Sequence, residues 1–322
     1  MKRFLAAAIA LVASAALILT AALIKPAEYT PDGQYRLGVG TVVSGAEGEA
    51  KATVTVVAVL CDSTGKIVDC AVDCGDFGIS AEDVAAGKSG TYQTKNELGE
   101  NYGMVAYAGA KYEWFEQAEH FAKTMVGKSA KDATYLSLAS DGKAEDADLL
   151  SGCTIAIGDF KAALIKAMGD TLAATFKSDD TPVLSLALSN KDSISAKEGS
   201  VSMTTDICAV ASFEGKALAA VCDVAESKFA FAEDGSVSAD LGKTKREKLD
   251  SYGMVAYAGA KFEWYEQADA FCDYIRGMTA EDIAAIEMTD AGKAADADLV
   301  SGCTIAVGDL IKIAEKAMKA AK

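Results

Sequence analysis

The sequence predicts an α+β fold made twice: two duplicated domains, each an antiparallel sheet packed with helices, after an N-terminal transmembrane or signal helix. Three observations predict it. The first is an internal repeat. Tyr-Gly-Met-Val-Ala-Tyr-Ala-Gly-Ala-Lys at 102–111 recurs letter for letter at 252–261. Asp148-Leu149-Leu150-Ser151-Gly152-Cys153-Thr154 returns as Asp298-Leu299-Val300-Ser301-Gly302-Cys303-Thr304. The offset, 150 residues from Cys153 to Cys303, is far longer than a solenoid period and marks a duplicated domain. The second observation is that β-branched runs and hairpin turns precede helical periodicity in each half. The third is Met1-Lys2-Arg3 followed by an uncharged run over 4–24 and closed by Lys25-Pro26. That is the pattern of an export signal, and it is long enough to span a bilayer, which takes about 20 residues. The expected division is a signal anchor or signal peptide at 1–26, domain 1 at 34–168, a linker or hinge at 169–182, and domain 2 at 183–320.

In order, Thr30-Pro31-Asp32-Gly33 is a turn and 35–43 a first strand. The β-branched run at 53–59 leads through Asp62-Ser63-Thr64-Gly65 to a hairpin partner at 66–73. The counterpart hairpin runs 201–209, Glu214-Gly215, 216–224. Ser80 with Asp83 opens a short helix ending at Gly87, which the second half lacks. Over 112–126, Tyr112, Phe115, Ala118, Ala122 and Met125 fall on one helical face, with Gly127 as the stop. Ser129 with Asp132, and Thr279 with Asp282, cap the next helices. Asp159 and Asp309 are expected to cap the last helix of each half.

A net charge of −16 and a pI near 4.6 exclude a polyanionic partner, since nucleic acid binding needs a basic surface. The basic residues before the apolar run place the N-terminus inside and the bulk of the chain on the extracytoplasmic face of the cell membrane, or secreted if the signal is cleaved. Of the eight Cys, only Cys153 and Cys303 are equivalent, and Cys70 and Cys74 lie too far apart on one strand to pair. The expectation is free, core-like thiols. His120 is the only His, and no counterpart stands in the other half, which excludes duplicated His-based chemistry. The acids Glu145, Asp146, Asp148, Asp296 and Asp298 lack EF-hand spacing and read as a solvated face.

The Asp-x-x-Ser-Gly-Cys-Thr loop before an apolar helix, with Asp32-Gly33-Gln34-Tyr35 and Gly65-Lys66-Ile67-Val68, resembles the FMN-binding domain family. That family includes extracytoplasmic flavin-carrying subunits of sodium-pumping and Rnf-type electron-transfer complexes. The resemblance implies that a flavin transferase joins FMN through its phosphate to Thr154 and Thr304, with Asp148, Ser151, Gly152, Asp298, Ser301 and Gly302 as the rest of the recognised motif. Cys153 and Cys303 stand where the family usually has Ala. It also implies a membrane-anchored electron carrier that meets redox partner proteins. The residues alone support a close backbone approach at Gly152, an acceptor hydroxyl on Thr154 and phosphate-binding N–H groups on the following helix. Taken locally, they fit a Ser-Gly turn with a capping Thr better. Tyr102, Tyr107, Trp114 and their partners Tyr252, Tyr257 and Trp264 could stack on a planar ring or fill the core. Lys95, Lys245, Lys111 and Lys261 could face a phosphate or water. The competing reading is a non-flavinylated cell-surface binding or structural protein that keeps the same fold.

Overall fold

The computed structural model describes residues 33–46, 48–169 and 173–321, so the helix expected over 4–24 lies outside the described residues. Among the described residues, no helix is long and apolar enough to cross a membrane.

The first half begins with strands β1 (Gln34–Ser44), β2 (Lys51–Asp62) and β3 (Ile67–Gly78), paired antiparallel as a meander. The Asp62 carboxylate ties the β2–β3 turn by accepting the backbone N–H of Thr64 (2.8 Å) and of Lys66 (3.0 Å). Next come α1 (Ala81–Ala85), capped by Ser80 as expected, the two-residue strand β4 (Thr91–Tyr92), α2 (Lys95–Leu98) and α3 (Met104–Ala108). Helix α4 (Trp114–Met125) is followed by α5 (Ala130–Tyr135), α6 (Ala147–Gly152) and α7 (Gly158–Ala167).

Strand β5 (Ala173–Lys177) pairs with β1, so part of the stretch expected as a linker completes the first sheet. The second half contributes β6 (Val183–Ser195), β7 (Ser200–Phe213), β8 (Lys216–Phe231) and β9 (Val237–Asp240). Its helices are α8 (Lys245–Lys248), α9 (Met254–Ala258), α10 (Trp264–Tyr274), α11 (Ala280–Ala284), α12 (Ala297–Gly302) and α13 (Gly308–Ala320). Both sheets are antiparallel, ordered β3-β2-β1-β5 and β4-β6-β7-β8-β9, which makes the fold α+β. First-half strand β4 is an edge of the second-half sheet.

The two sheets stack face to face. Leu37, Val54, Val56 and Leu60 of one meet Leu188, Met203, Ile207 and Val221 of the other in a single dry layer. On β2 the alternate residues Val57, Val59 and Cys61 point the other way, into a core with α4 and α7. That two-sided burial is why β2 reads as an almost unbroken apolar run rather than an alternating one. Each fully buried Leu, Ile or Phe in these layers contributes about 1.5–3 kcal/mol. The order through the molecule is helices, sheet, sheet, helices. Two ion pairs tie the halves reciprocally, Lys166 to Glu247 (2.7 Å) and Lys316 to Glu97 (2.6 Å), each the 150-residue equivalent of the other. Helix α7 lies so close on β1 that a Cβ on Gly38 or Gly40 would stand 2.0 or 1.9 Å from the carbonyl oxygens of Ala167 or Ala163.

Two local expectations change. The buried face of α4 is Trp114, Gln117, Ala118, Phe121, Ala122 and Met125. Glu113 is the N-cap, which leaves Tyr112 outside the helix and turns Phe115 half outward. Asp159 does not cap α7. Ile157 occupies the cap position without a side-chain bond, and Asp159 sits inside the first turn, accepting from Ser44 Oγ at 2.9 Å. Likewise, Asp309 does not cap α13, where Val307 holds the cap position without a side-chain bond. All eight cysteines are buried with free thiols.

Candidate functional site

The repeated loop is built the same way in each half. Asp146 caps α6 by accepting the Leu149 N–H (2.9 Å), and Asp296 does the same for Asp298 and Leu299 of α12. Leu149 and Cys153, like Leu299 and Cys303, are buried anchors. Cys153 is extended (φ −129°, ψ 98°), so the chain alternates sides there. Cys153 points into the core and Thr154 points out. Burial pushes both thiols, Cys153 and Cys303, up to about 11, so they are neutral packing groups rather than intruders in a site.

The motif residues divide into roles. Ser151 Oγ donates to the Asp148 carbonyl and Ser301 Oγ to the Asp298 carbonyl, both at 2.7 Å, closing the last turn of each helix. The backbone at Gly152 approaches His120, not an open cleft: an added Cβ would stand 2.4 Å from the His120 Cγ. At Gly302 it would meet the Cβ of Ala270 at 2.7 Å. These glycines allow the loop to press on α4 and α10. The helix after the loop offers no clear anion site either, since its first turn carries Asp159 or Asp309.

The threonines are held by residues not singled out from sequence. The buried carboxamide of Gln117 accepts from both the backbone N–H (2.8 Å) and the hydroxyl (3.1 Å) of Thr154. Gln267 accepts the same two bonds from Thr304, at 2.8 and 3.0 Å. Each Gln donates its Nε2 to a carbonyl, of Tyr112 (3.0 Å) or Phe262 (2.9 Å), which fixes Oε1 toward the threonine. The available signal was the recurrence of Glu-Gln-Ala at 116–118 and 266–268.

Beside Thr154 opens a cleft of about 550 Å³. Lys95, Tyr102, Met104, Tyr107, Trp114 and Ile155 line it. Lys95 lies over the rings of Tyr102 (5.1 Å) and Trp114 (5.3 Å) and pairs with Asp76 at 3.1 Å. Burial works against its charge, but Cys74, Asp76 and Tyr102 outweigh it and hold the ammonium above its ordinary range. Burial pushes the Cys74 thiol up to about 12, so the thiol is neutral and the contact of Lys95 with Asp76 is the ion pair. In the second half Lys245 repeats this over Tyr252 (5.5 Å) and Trp264 (5.7 Å), paired with Glu226 at 3.1 Å. By contrast, exposed Lys111 and Lys261 lie over their neighbours Tyr112 and Phe262.

Helix α3 holds the outer wall. The buried Glu113 carboxylate accepts the N–H groups of Met104 (2.9 Å) and Val105 (3.0 Å), and Glu263 holds Met254 and Val255 at the same distances. This fixes Tyr107, 90% exposed, between the Lys95 cleft and a second one of about 510 Å³ that includes Glu113 and Phe115. Its equivalent Tyr257 is 89% exposed. Among the described residues, no group of three or more His, Cys, Asp or Glu side chains could hold a metal ion.

The residues fit a phosphorylated planar cofactor. The cleft volume suits a small cofactor, aromatic faces and a protonated lysine line it, and Ile155 and Ala156, which follow Thr154, form part of its wall. No family model, curated protein or solved structure matches the chain.

Proposed function

We propose that this protein carries FMN at two equivalent sites, attached covalently through phosphate to Thr154 and Thr304, and acts as an electron-transfer protein. The observation that carries this reading is that each half repeats two features, a threonine hydroxyl fixed by a buried glutamine and a lysine held over Tyr and Trp rings. When bound, FMN supplies one- or two-electron redox chemistry. The chain's own contribution is to hold and shield. Thr154 and Thr304 offer the acceptor oxygens. Tyr107 and Tyr257 offer exposed ring faces, and Lys95 and Lys245 offer an ammonium that an anionic group would share with, or take from, Asp76 and Glu226. The motif's Cys in place of Ala is compatible with this, because both thiols face the core. The export segment at 4–24 would put both sites on the extracytoplasmic face, where redox partner proteins would deliver and remove electrons.

The test is intact mass spectrometry after co-expression with a flavin transferase. The expected result is two FMN additions on the full chain and one on each of Thr154→Val and Thr304→Val. A chain that keeps its unmodified mass in the presence of an active transferase overturns the reading.

A further inference from the structure

We infer that Gln117 and Gln267 are positioning residues for flavin attachment, each orienting the acceptor hydroxyl of its threonine; the inference rests on the flavin reading above. A fully buried glutamine in a helix is costly unless its polar atoms are bonded. A loop cap would need only the backbone N–H of Thr154, yet Gln117 Oε1 also takes the hydroxyl proton at 3.1 Å, and Gln267 takes that of Thr304 at 3.0 Å. The Nε2 bonds to Tyr112 and Phe262 prevent either carboxamide from turning over. The geometry agrees between halves within 0.1 Å, while adjacent positions on the same helices have drifted from Glu119 and His120 to Asp269 and Ala270. A threonine hydroxyl normally rotates freely. With its proton directed inward, its lone pairs face outward, toward an incoming phosphorus.

The step served is phosphoryl transfer. Thr154 Oγ1 attacks the flavin-side phosphorus of a flavin dinucleotide, and a phosphoester bond forms. The phosphoanhydride bond breaks, and a nucleoside monophosphate leaves with the electron pair. A carboxamide is too weak a base to keep the hydroxyl proton, which passes to a basic group of the transferase. Gln117 therefore acts through Thr154 and not on the donor.

The experiment uses the full chain with a flavin transferase and flavin adenine dinucleotide, following the Thr154 and Thr304 peptides separately by mass spectrometry. In Gln117→Met, modification of Thr154 should slow at least tenfold in kcat with KM changed less than about twofold, while Thr304 in the same molecule keeps its wild-type rate and reports correct folding. Gln267→Met should give the mirror result. Gln117→Glu, whose fully buried carboxyl stays protonated and so keeps both an acceptor oxygen for Thr154 and a donor for the Tyr112 carbonyl, should recover most of the rate, a rescue that a packing role does not predict. Unchanged rates, or a rise in KM with kcat intact, would show that Gln117 only shapes the loop and would overturn the inference while leaving the flavin reading standing. Absence of modification at both threonines of the wild type defeats the flavin reading and this inference with it.

Discussion

Asp73 and Asp223 are equivalent buried carboxylates, and they make stability fall as pH rises. Burial is the main cause that pushes each up to about 6, from 3.8 in an unperturbed chain. Hydrogen bonds from Thr94, Cys74 and Asn96 pull against that at Asp73, where Glu97 adds to it. Thr244, Val224 and Arg246 oppose it at Asp223. Because the folded pKa lies above the unfolded one, the fold binds these protons more tightly. The stabilisation is complete below the unfolded value and is lost as pH rises through about 6. A difference of about two units corresponds to roughly 3 kcal/mol for each carboxyl as an upper bound. In Asp73→Asn/Asp223→Asn the amide oxygen keeps the bonds now made by Oδ1, to Cys74 (2.7 Å) and Asn96 (3.2 Å) in one half and to Val224 (2.7 Å) and Arg246 (3.1 Å) in the other. Urea unfolding at a series of pH values between 4 and 7.5 reads the effect. The double variant should come within about 1 kcal/mol of the wild type near pH 4 and exceed it by several kcal/mol at pH 7.5. Other groups such as Asp206, also raised by burial, titrate in both proteins and cancel in the comparison. Parallel pH profiles for the two proteins would refute the reasoning.

Gly302→Ala should destabilise by about 1–3 kcal/mol, because the new Cβ meets the fixed Cβ of Ala270; a denaturant cycle with Ala270→Gly should show coupling, and additive costs would mean the contact is not tight. Tyr107→Ala and Tyr257→Ala should each leave stability within about 0.5 kcal/mol, given their exposure, yet raise the fluorescence of flavin at that site by removing a stacked ring. Unchanged fluorescence in both would remove these rings from the site. Cys153→Ala should cost about 1 kcal/mol in thermal unfolding for its lost core contacts and leave flavin attachment unaltered; a loss of attachment would mean that the thiol reaches the cleft.

The hairpins were legible because β-branched runs and Asp62-Ser63-Thr64-Gly65 state local preferences that the fold obeys. The capping pairs at Ser129 and Thr279 were legible for the same reason. Strand β5 was not, since in Ala173–Lys177 only Phe176 is buried and an edge strand needs little apolar pattern. The stacking of the sheets was hidden by the two-sided burial of β2, which says that both faces are covered but not by what. For the candidate site, the duplicated loop marked the threonines. Gln117 and Gln267 looked like ordinary helix residues, because a polar side chain turned inward leaves the same letter as one turned outward. The cleft depends on Lys95, Tyr107 and Trp114 meeting through tertiary contacts, and only their recurrence at a fixed offset hinted at that.

Leu37 and Val56 have a dry surface to rest on only because Ile207 and Val221 belong to the same body. Neither half therefore has a private unfolding equilibrium, and anything that occupies one cleft draws down the unfolded fraction of the whole chain. A reversibly bound ligand at a hundred times its Kd for one site would protect the fold by about 2.7 kcal/mol, and the other half would share all of it. If Thr154 and Thr304 are both flavin sites, as proposed, a molecule loaded at Thr154 alone would keep the Thr304 loop folded while that site is still empty.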